Sequence, residues 1–186
     1  MAEKSTKSTK STQNTSAGRS TGSTTTITDP LRILRADHRE VEQLLEQLAD
    51  SDEGPERRQM VDELRTKLTL HMELEESLLY PLIAEQVGAE DEEEAEVEHR
   101  LAREGLEKLT ELIDVPGFGA AVEMLKGGIK HHVEEEEKEL LPALKDSMDR
   151  DEWRNLGEQL VQAKEAAGQP APTTQRRKSS KRRKAA

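Results

Sequence analysis

Apolar residues recur through the middle of the chain in steps of three and four, the spacing that lines one face of an α-helix. Leu31, Leu34, Val41, Leu45 and Leu48 form a first stripe, with His38 in line. Met60, Leu64, Leu68, Leu79 and Leu82 form a second, in line with His71 and Glu75. Ala95, Ala102, Leu106, Leu109 and Ile113 form a third around His99. Phe118, Val122, Leu125, Ile129, Leu140 and Ala143 form a fourth with His132 and Glu136. Four long helices follow from this pattern. The first opens at "TDP", with Asp29 as N-cap and Pro30 at the first helical position. The second starts near Pro55, the third starts around Asp91 and stops before "VPGFG", and the fourth runs to about Met148. A fifth segment, "DEWRNLGEQLVQAKEA", is amphipathic through Trp153, Leu156 and Leu160, and is expected to pack across the bundle as a short cap.

The flanks lack such stripes. Residues 1–28 are rich in Ser, Thr and Lys and are expected to be disordered, and residues 168–186 read as a flexible basic tail. Between them lie a helical domain, 29–148, and a C-terminal helix, 149–167. Composition supports helices: with aromatics at 2% of 186 residues, Leu, Ile, Val and Ala must build the core. The absence of cysteine excludes disulfides, thiolate metal sites and thiol catalysis. No apolar run approaches the ~18 residues of a membrane span. The N-terminus has no apolar signal core, so a soluble cytoplasmic protein is the simplest reading.

The net charge of −11 conceals a segregation. "RRKSSKRRK", Arg176 to Lys184, takes seven of the 28 basic residues, and the first thirty residues take four against two acids. The body, 31–175, is left with 17 basic and 37 acidic residues. Seven cations in so short a tail can neutralise several phosphates, so weak, non-specific and salt-dependent DNA contact is expected of it. The acidic body itself repels nucleic acid.

A shift of 61 residues overlays the second pair of helices on the first. His38 falls on His99, Pro55 on Pro116, His71 on His132, Glu75 on Glu136, and Pro81 on Pro142. "HMELEESLLYP" and the end of "HHVEEEEKELLP" share H-x3-E-E-x4-P, which makes His132, not His131, the partner of His71. An αα-hairpin used twice predicts an all-α, antiparallel up-down four-helix bundle, with the short fifth helix and the tails outside it. In such a bundle His99 and His132 both lie about 21–23 Å from the loop between their helices, and His38 and His71 are level to within about one turn.

A histidine and a glutamate four residues apart share one helix face, and here that face is the apolar one. An ionised carboxylate buried there without compensation is costly, and the stripes hold no lysine or arginine to offset it. A cation would. Mixed imidazole and carboxylate donors suit iron, manganese or zinc. Six donors exceed one tetrahedral ion, and their two-fold arrangement suits two ions with the glutamates bridging. His38, His71, Glu75, His99, His132 and Glu136 are therefore the candidate metal ligands. Glu73, Glu76, Glu134, Glu135, Glu137 and Glu139 are read as solvent faces, and His131 as lying beside the site or at the surface.

At these residues the chain resembles the hemerythrin-like family, the HHE cation-binding domain, over about residues 30–148. The resemblance rests on His38, His71-x3-Glu75, His99 and His132-x3-Glu136. It implies two non-haem iron ions held by those six residues, with Glu75 and Glu136 as bridges and manganese or zinc as alternatives. It also implies a small diatomic ligand or peroxide as partner, bound, turned over as in peroxide breakdown, or sensed, with iron buffering as a further role. Two departures point away from reversible oxygen carriage. Arg103 stands where oxygen carriers have a further histidine, and Glu136 lies four residues past His132 where they have Asp at five. Tyr80, five residues after Glu75, is placed to reach the site.

Overall fold

The computed structural model describes residues 24–175 and forms an antiparallel helical bundle. Helix α1 spans Pro30–Ala49 and α2 spans Pro55–Leu74. A wide π turn, Glu75–Leu79, joins α2 to α3, Tyr80–Gln86, in one rod. Helix α4 spans Ala89–Glu111 and α5 spans Phe118–Glu135. A second π turn, Glu136–Leu140, leads into α6, Leu141–Ser147. Helix α7, Arg150–Ala166, completes the helical part. Asp29 caps α1 as expected, its carboxylate accepting from the Arg32 N–H, and Asp149 and Glu152 form a reciprocal capping box on α7. No helix among the described residues is long and apolar enough to cross a membrane.

The π turns correct two of the expected stripes. Each precedes a proline, Pro81 or Pro142, which has no N–H to donate, and each is closed by a bond five residues back, Tyr80 N–H to Glu75 O and Leu141 N–H to Glu136 O. One extra residue per turn advances the inward face by one position. Tyr80 and Ile83 are buried where Leu82 was expected, and Leu141 and Leu144 where Leu140 and Ala143 were expected.

The apolar core is divided. One cluster includes Val41, Leu45, Leu64, Leu68, Leu109 and Val122; the other includes Ile33, Leu34, Leu79, Ile83, Leu144 and Leu160. The histidines and glutamates of the stripes fill the layer between them.

Helix α7 runs along α1 rather than across the bundle. Trp153 Nε1 lies 3.5 Å from Asp29, and further along Lys164 reaches Asp37. The chain before α1 crosses α7 at Gly157, where a Cβ would meet the Thr28 carbonyl oxygen at 1.7 Å. Only glycine permits that approach. Short stretches of the two flanks are paired. Strand β1, Thr24–Thr26, pairs antiparallel with β2, Thr173–Gln175, and the Ile27 N–H donates to Pro172 O at 2.8 Å. Backbone pairing between two threonine-rich segments, with Ala171 buried beneath, orders residues that carry no hydrophobic alternation of their own. The basic segment 176–184 and the first 23 residues lie outside the described residues.

Candidate metal centre

All six stripe residues meet in the layer between the two apolar clusters. His38 comes from the middle of α1, His71 from the end of α2, and Glu75 opens the first π turn. His99 comes from α4, His132 from the end of α5, and Glu136 opens the second π turn. The wide turn begins at the glutamate in both rods, where π turns commonly mark functional positions. All six are buried, the two glutamates completely.

The geometry divides into two halves. His38 and His71 pack edge to face with ring centres 4.7 Å apart, and His99 and His132 do the same at 4.8 Å. The glutamates span the halves. Glu75 Oε2 lies 3.1 Å from His71 Nε2 and 3.3 Å from His99 Nε2. Glu136 Oε2 lies 3.3 Å from His38 Nε2 and 3.6 Å from His132 Nε2. Donor atoms of His38, His71, Glu75 and Glu136 fall within 4.8 Å of one another, as do those of Glu75, His99 and His132.

A ring of carboxylates backs the four imidazoles. Nδ1 of His38 donates to Glu137 at 3.0 Å, Nδ1 of His99 to Glu76 at 3.0 Å, and Nδ1 of His132 to Glu98 at 2.8 Å. Asp37 Oδ2 stands 3.9 Å from His71 Nδ1. A proton held at Nδ1 leaves Nε2 of the neutral ring as a lone pair facing the centre, the form in which imidazole binds a cation. The carboxylates are anchored in turn. Arg35 pairs with Glu137 at 2.9 Å, Arg103 holds Glu76 through two bonds of 2.7 and 2.8 Å, and Lys164 meets both oxygens of Asp37 at 2.6 and 2.7 Å. These partners keep them ionised. Burial tends to raise Glu76 and Asp37, yet Arg103 and His99 bring Glu76 below the usual carboxylate range, and His71 and Lys164 do so for Asp37. Glu137 is lowered chiefly by His38.

Glu76 and Glu137 are therefore not solvent faces. On its own helix each sits ~100° from an inward glutamate and looks solvated, but the neighbouring helix places an imidazole N–H there. Asp37 and Glu98 escaped the sequence reading altogether. The repeat held the signal: a shift of 61 maps Asp37 on Glu98 and Glu76 on Glu137, so the backing ring obeys the same two-fold relation as the inner six. His131 is mostly exposed, 3.5 Å from Glu98 and 3.4 Å from Glu135. Tyr80 is buried in the centre, its hydroxyl 2.8 Å from His99 Nε2 and donating to Glu136 Oε1 at 3.4 Å. Burial, with Glu75 and Glu136 close by, pushes that phenol far above its ordinary pKa, so it stays a neutral donor.

The donor set fits a cation. Nε2 of His38, both ring nitrogens of His71, both oxygens of Glu75 and Oε2 of Glu136 are buried without a hydrogen-bond partner. Buried polar atoms are rarely left unpaired, and ionised carboxylates least of all. In the absence of metal, protons feel the same field. Burial lowers His38, but Glu136, Glu137 and Glu75 raise it well above its ordinary value. For His132, burial is outweighed by Glu136 and Glu98, and the pKa is pushed up to about 9. Burial raises Glu75, yet His71, His38 and His99 hold it well below the usual range.

Comparison with known proteins agrees with this chemistry. Residues 29–144 match the hemerythrin HHE cation binding domain family. The chain belongs to that family. Cation binding is thus its shared property, and the His/Glu layer is where this hemerythrin-like chain offers donors. A crystal structure of a hemerythrin HHE cation binding domain-containing protein from Mycobacterium kansasii superposes with a TM-score of 0.66 at 24% identity, covering 75% of this chain and 88% of that one. A DNA nickase from Nostoc sp. (strain PCC 7120) is 26% identical over 133 residues, 71% of this chain. The chain spans only 38% of that relative's length.

A groove and a small void adjoin the layer. A groove of about 540 Å³ between α4 and α5, walled by Ala102, Gly105, Ala121, Leu125 and Ile129, reaches His99 and His132. A void of about 10 Å³ lies among the four histidines, against Val41, Leu68, Met72, Ile129 and Val133.

Proposed function

We propose that this chain is a non-haem di-iron protein that binds or reacts with oxygen, peroxide or nitric oxide. The observation that carries this reading is the pairing of unsatisfied buried donors with carboxylates that bond three of the four imidazoles and stand 3.9 Å from the fourth, arranged two-fold around Glu75 and Glu136. His38 and His71 would hold one ion, His99 and His132 the other, with the two glutamates shared. Iron bound there supplies a change of oxidation state and open positions for a small ligand.

The protein's own residues set the conditions. The Nδ1–carboxylate bonds fix the orientation of three rings, so their Nε2 atoms need little rearrangement on binding. The apolar groove admits a small neutral molecule to the His99/His132 half. Tyr80 keeps a hydroxyl proton beside Glu136 and His99. Protein from iron-supplied cells is expected to carry close to two irons per chain by elemental analysis; zinc in their place would sink the reading. Peroxide dismutation is the first activity to assay, followed by oxygen evolution. A fully iron-loaded protein that evolves none would belong with the non-catalytic iron or oxygen sensors and iron buffers.

DNA association through the basic tail is a second reading, supported by the "RRKSSKRRK" segment and by the similarity to a protein named as a DNA nickase. The full chain should retard DNA at low salt and release it at moderate salt, whereas a truncation after Gln175 should not bind. Equal behaviour of the two would remove the tail from consideration.

A further inference from the structure

The two-fold relation breaks outside the buried centre at the carboxylates behind His71 and His132. In the first repeat Asp37 of α1 is neutralised by Lys164, with Leu74 buried and Leu70 half-buried on α2. The positions 61 residues on are Glu98, Glu135 and His131. One donor atom from each of these three lies within 4.8 Å of the others. His131 Nε2 is 3.5 Å from Glu98 Oε1 and 3.4 Å from Glu135 Oε1, while the other oxygen of Glu98 accepts from His132 Nδ1 at 2.8 Å. One carboxylate thus faces the surface and a histidine of the centre together.

A cleft of about 70 Å³ leads inward beside it, lined by Asp91, Glu94 and Glu139 as well as Glu98 and Glu135. It reaches His132 and Glu136, and Glu136 is wholly buried with Oε2 lacking any hydrogen-bond partner. No lysine or arginine among the described residues pairs with any acid of this cleft. On the opposite side the ammonium of Lys164 occupies the corresponding position.

We propose that Glu98, His131 and Glu135 form a third, solvent-facing divalent-cation site, through which metal enters the buried centre. The proposal rests on the two-ion reading of that centre. Imidazole with two carboxylates suits the same borderline cations as the inner donors. With water completing its shell and one donor shared with His132, the outer site binds more weakly than the inner pair, as an entry station must. A cleft of one charge sign concentrates counter-ions and speeds their arrival.

The test uses metal-free full-length protein and Mn2+ as probe, with free Mn2+ followed by electron paramagnetic resonance and uptake followed by rapid mixing. Wild type is expected to bind two ions tightly and a third more weakly. His131→Ala and Glu135→Gln should lose the third ion, keep the two, and load about tenfold more slowly. Glu134→Gln, which removes a neighbouring charge already paired with Lys138, should behave as wild type. Two tight ions without a third, or unchanged loading in both variants, would overturn the entry site alone. Failure to bind any ion tightly would overturn the two-ion centre and the entry site with it.

Discussion

In the first repeat His71 is backed by Asp37, whose carboxylate is met by Lys164 of α7; in the second, His132 is backed by Glu98, whose other oxygen faces His131 and solvent. The inner donors are two-fold related, but their surroundings are not. A fifth helix covers one half, and an apolar groove and an acidic cleft open on the other. Duplicated donor chemistry placed in unequal dielectric and charge surroundings yields two inequivalent positions.

The strongest way to break the comparison is to remove what the halves share. Glu136 touches histidines of both, so Glu136→Ala should lose most bound metal, as should His71→Ala from the covered half. Stripping metal from wild type should have the largest effect on stability. An ion present at ~1,000 times its Kd contributes about 4 kcal/mol, so the melting temperature should fall by roughly 10 °C for a chain of this size. Calorimetry with and without chelator measures it, and an unchanged melting temperature would detach metal from folding.

Lys164→Met comes next and acts on the covered half alone. It leaves Asp37 buried without its cation, a loss of about 3 kcal/mol in denaturant unfolding, and it should weaken metal at His38/His71 before His99/His132. Glu98, which no lysine among the described residues meets, should be indifferent to the change.

The pH dependence separates metal-free from loaded protein. His38 and His132 bind protons more tightly folded than unfolded, His132 up to about 9 against an ordinary 6.5. The His132 contribution to the metal-free protein is complete below pH 6.5 and is lost as pH rises through about 9, and that of His38 is likewise lost only above its ordinary value. Glu75, held low, contributes above its ordinary 4.5 and loses that contribution as pH falls. Metal displaces the histidine protons, so the loaded protein should gain relative stability over the same alkaline rise. Melting curves of the two forms that ran parallel from pH 6.5 to 9 would contradict this account.

Arg103→Ala should have the smallest effect. Its pair with Glu76 is partly exposed, so under about 1 kcal/mol of stability is at stake. A shift in the His99 Nδ1 proton resonance, with the His38 resonance unmoved, would show that the loss stays in the open half.

Much of the bundle was legible because both helices of each repeat carry a stripe that the shift of 61 reproduces. The convergence of the six inner residues followed from the same stripes and from helix rise. What a single helix could not reveal was the backing ring. Asp37 and Glu98 precede an inward histidine by one residue, and Glu76 and Glu137 follow an inward glutamate by one, which on an isolated helix looks like solvent. Their partners sit on other helices. The π turns were hidden for a different reason: Pro81 and Pro142 mark a missing N–H, but periodicity read at a constant 3.6 residues per turn cannot register an inserted residue. The threonine ladder was illegible because backbone hydrogen bonds, and not side-chain alternation, hold it.

That ladder has a mechanical consequence. Thr24 and Gln175 are paired, so the chain enters and leaves the described fold at neighbouring points. Tension applied through both flanks would peel the three residue pairs one at a time instead of shearing them together. The next resistance is the crossing at Gly157, and behind it the Lys164–Asp37 contact that leads to His71. Force on the ends would thus reach the covered half of the centre through α7 while leaving α4 and α5 slack.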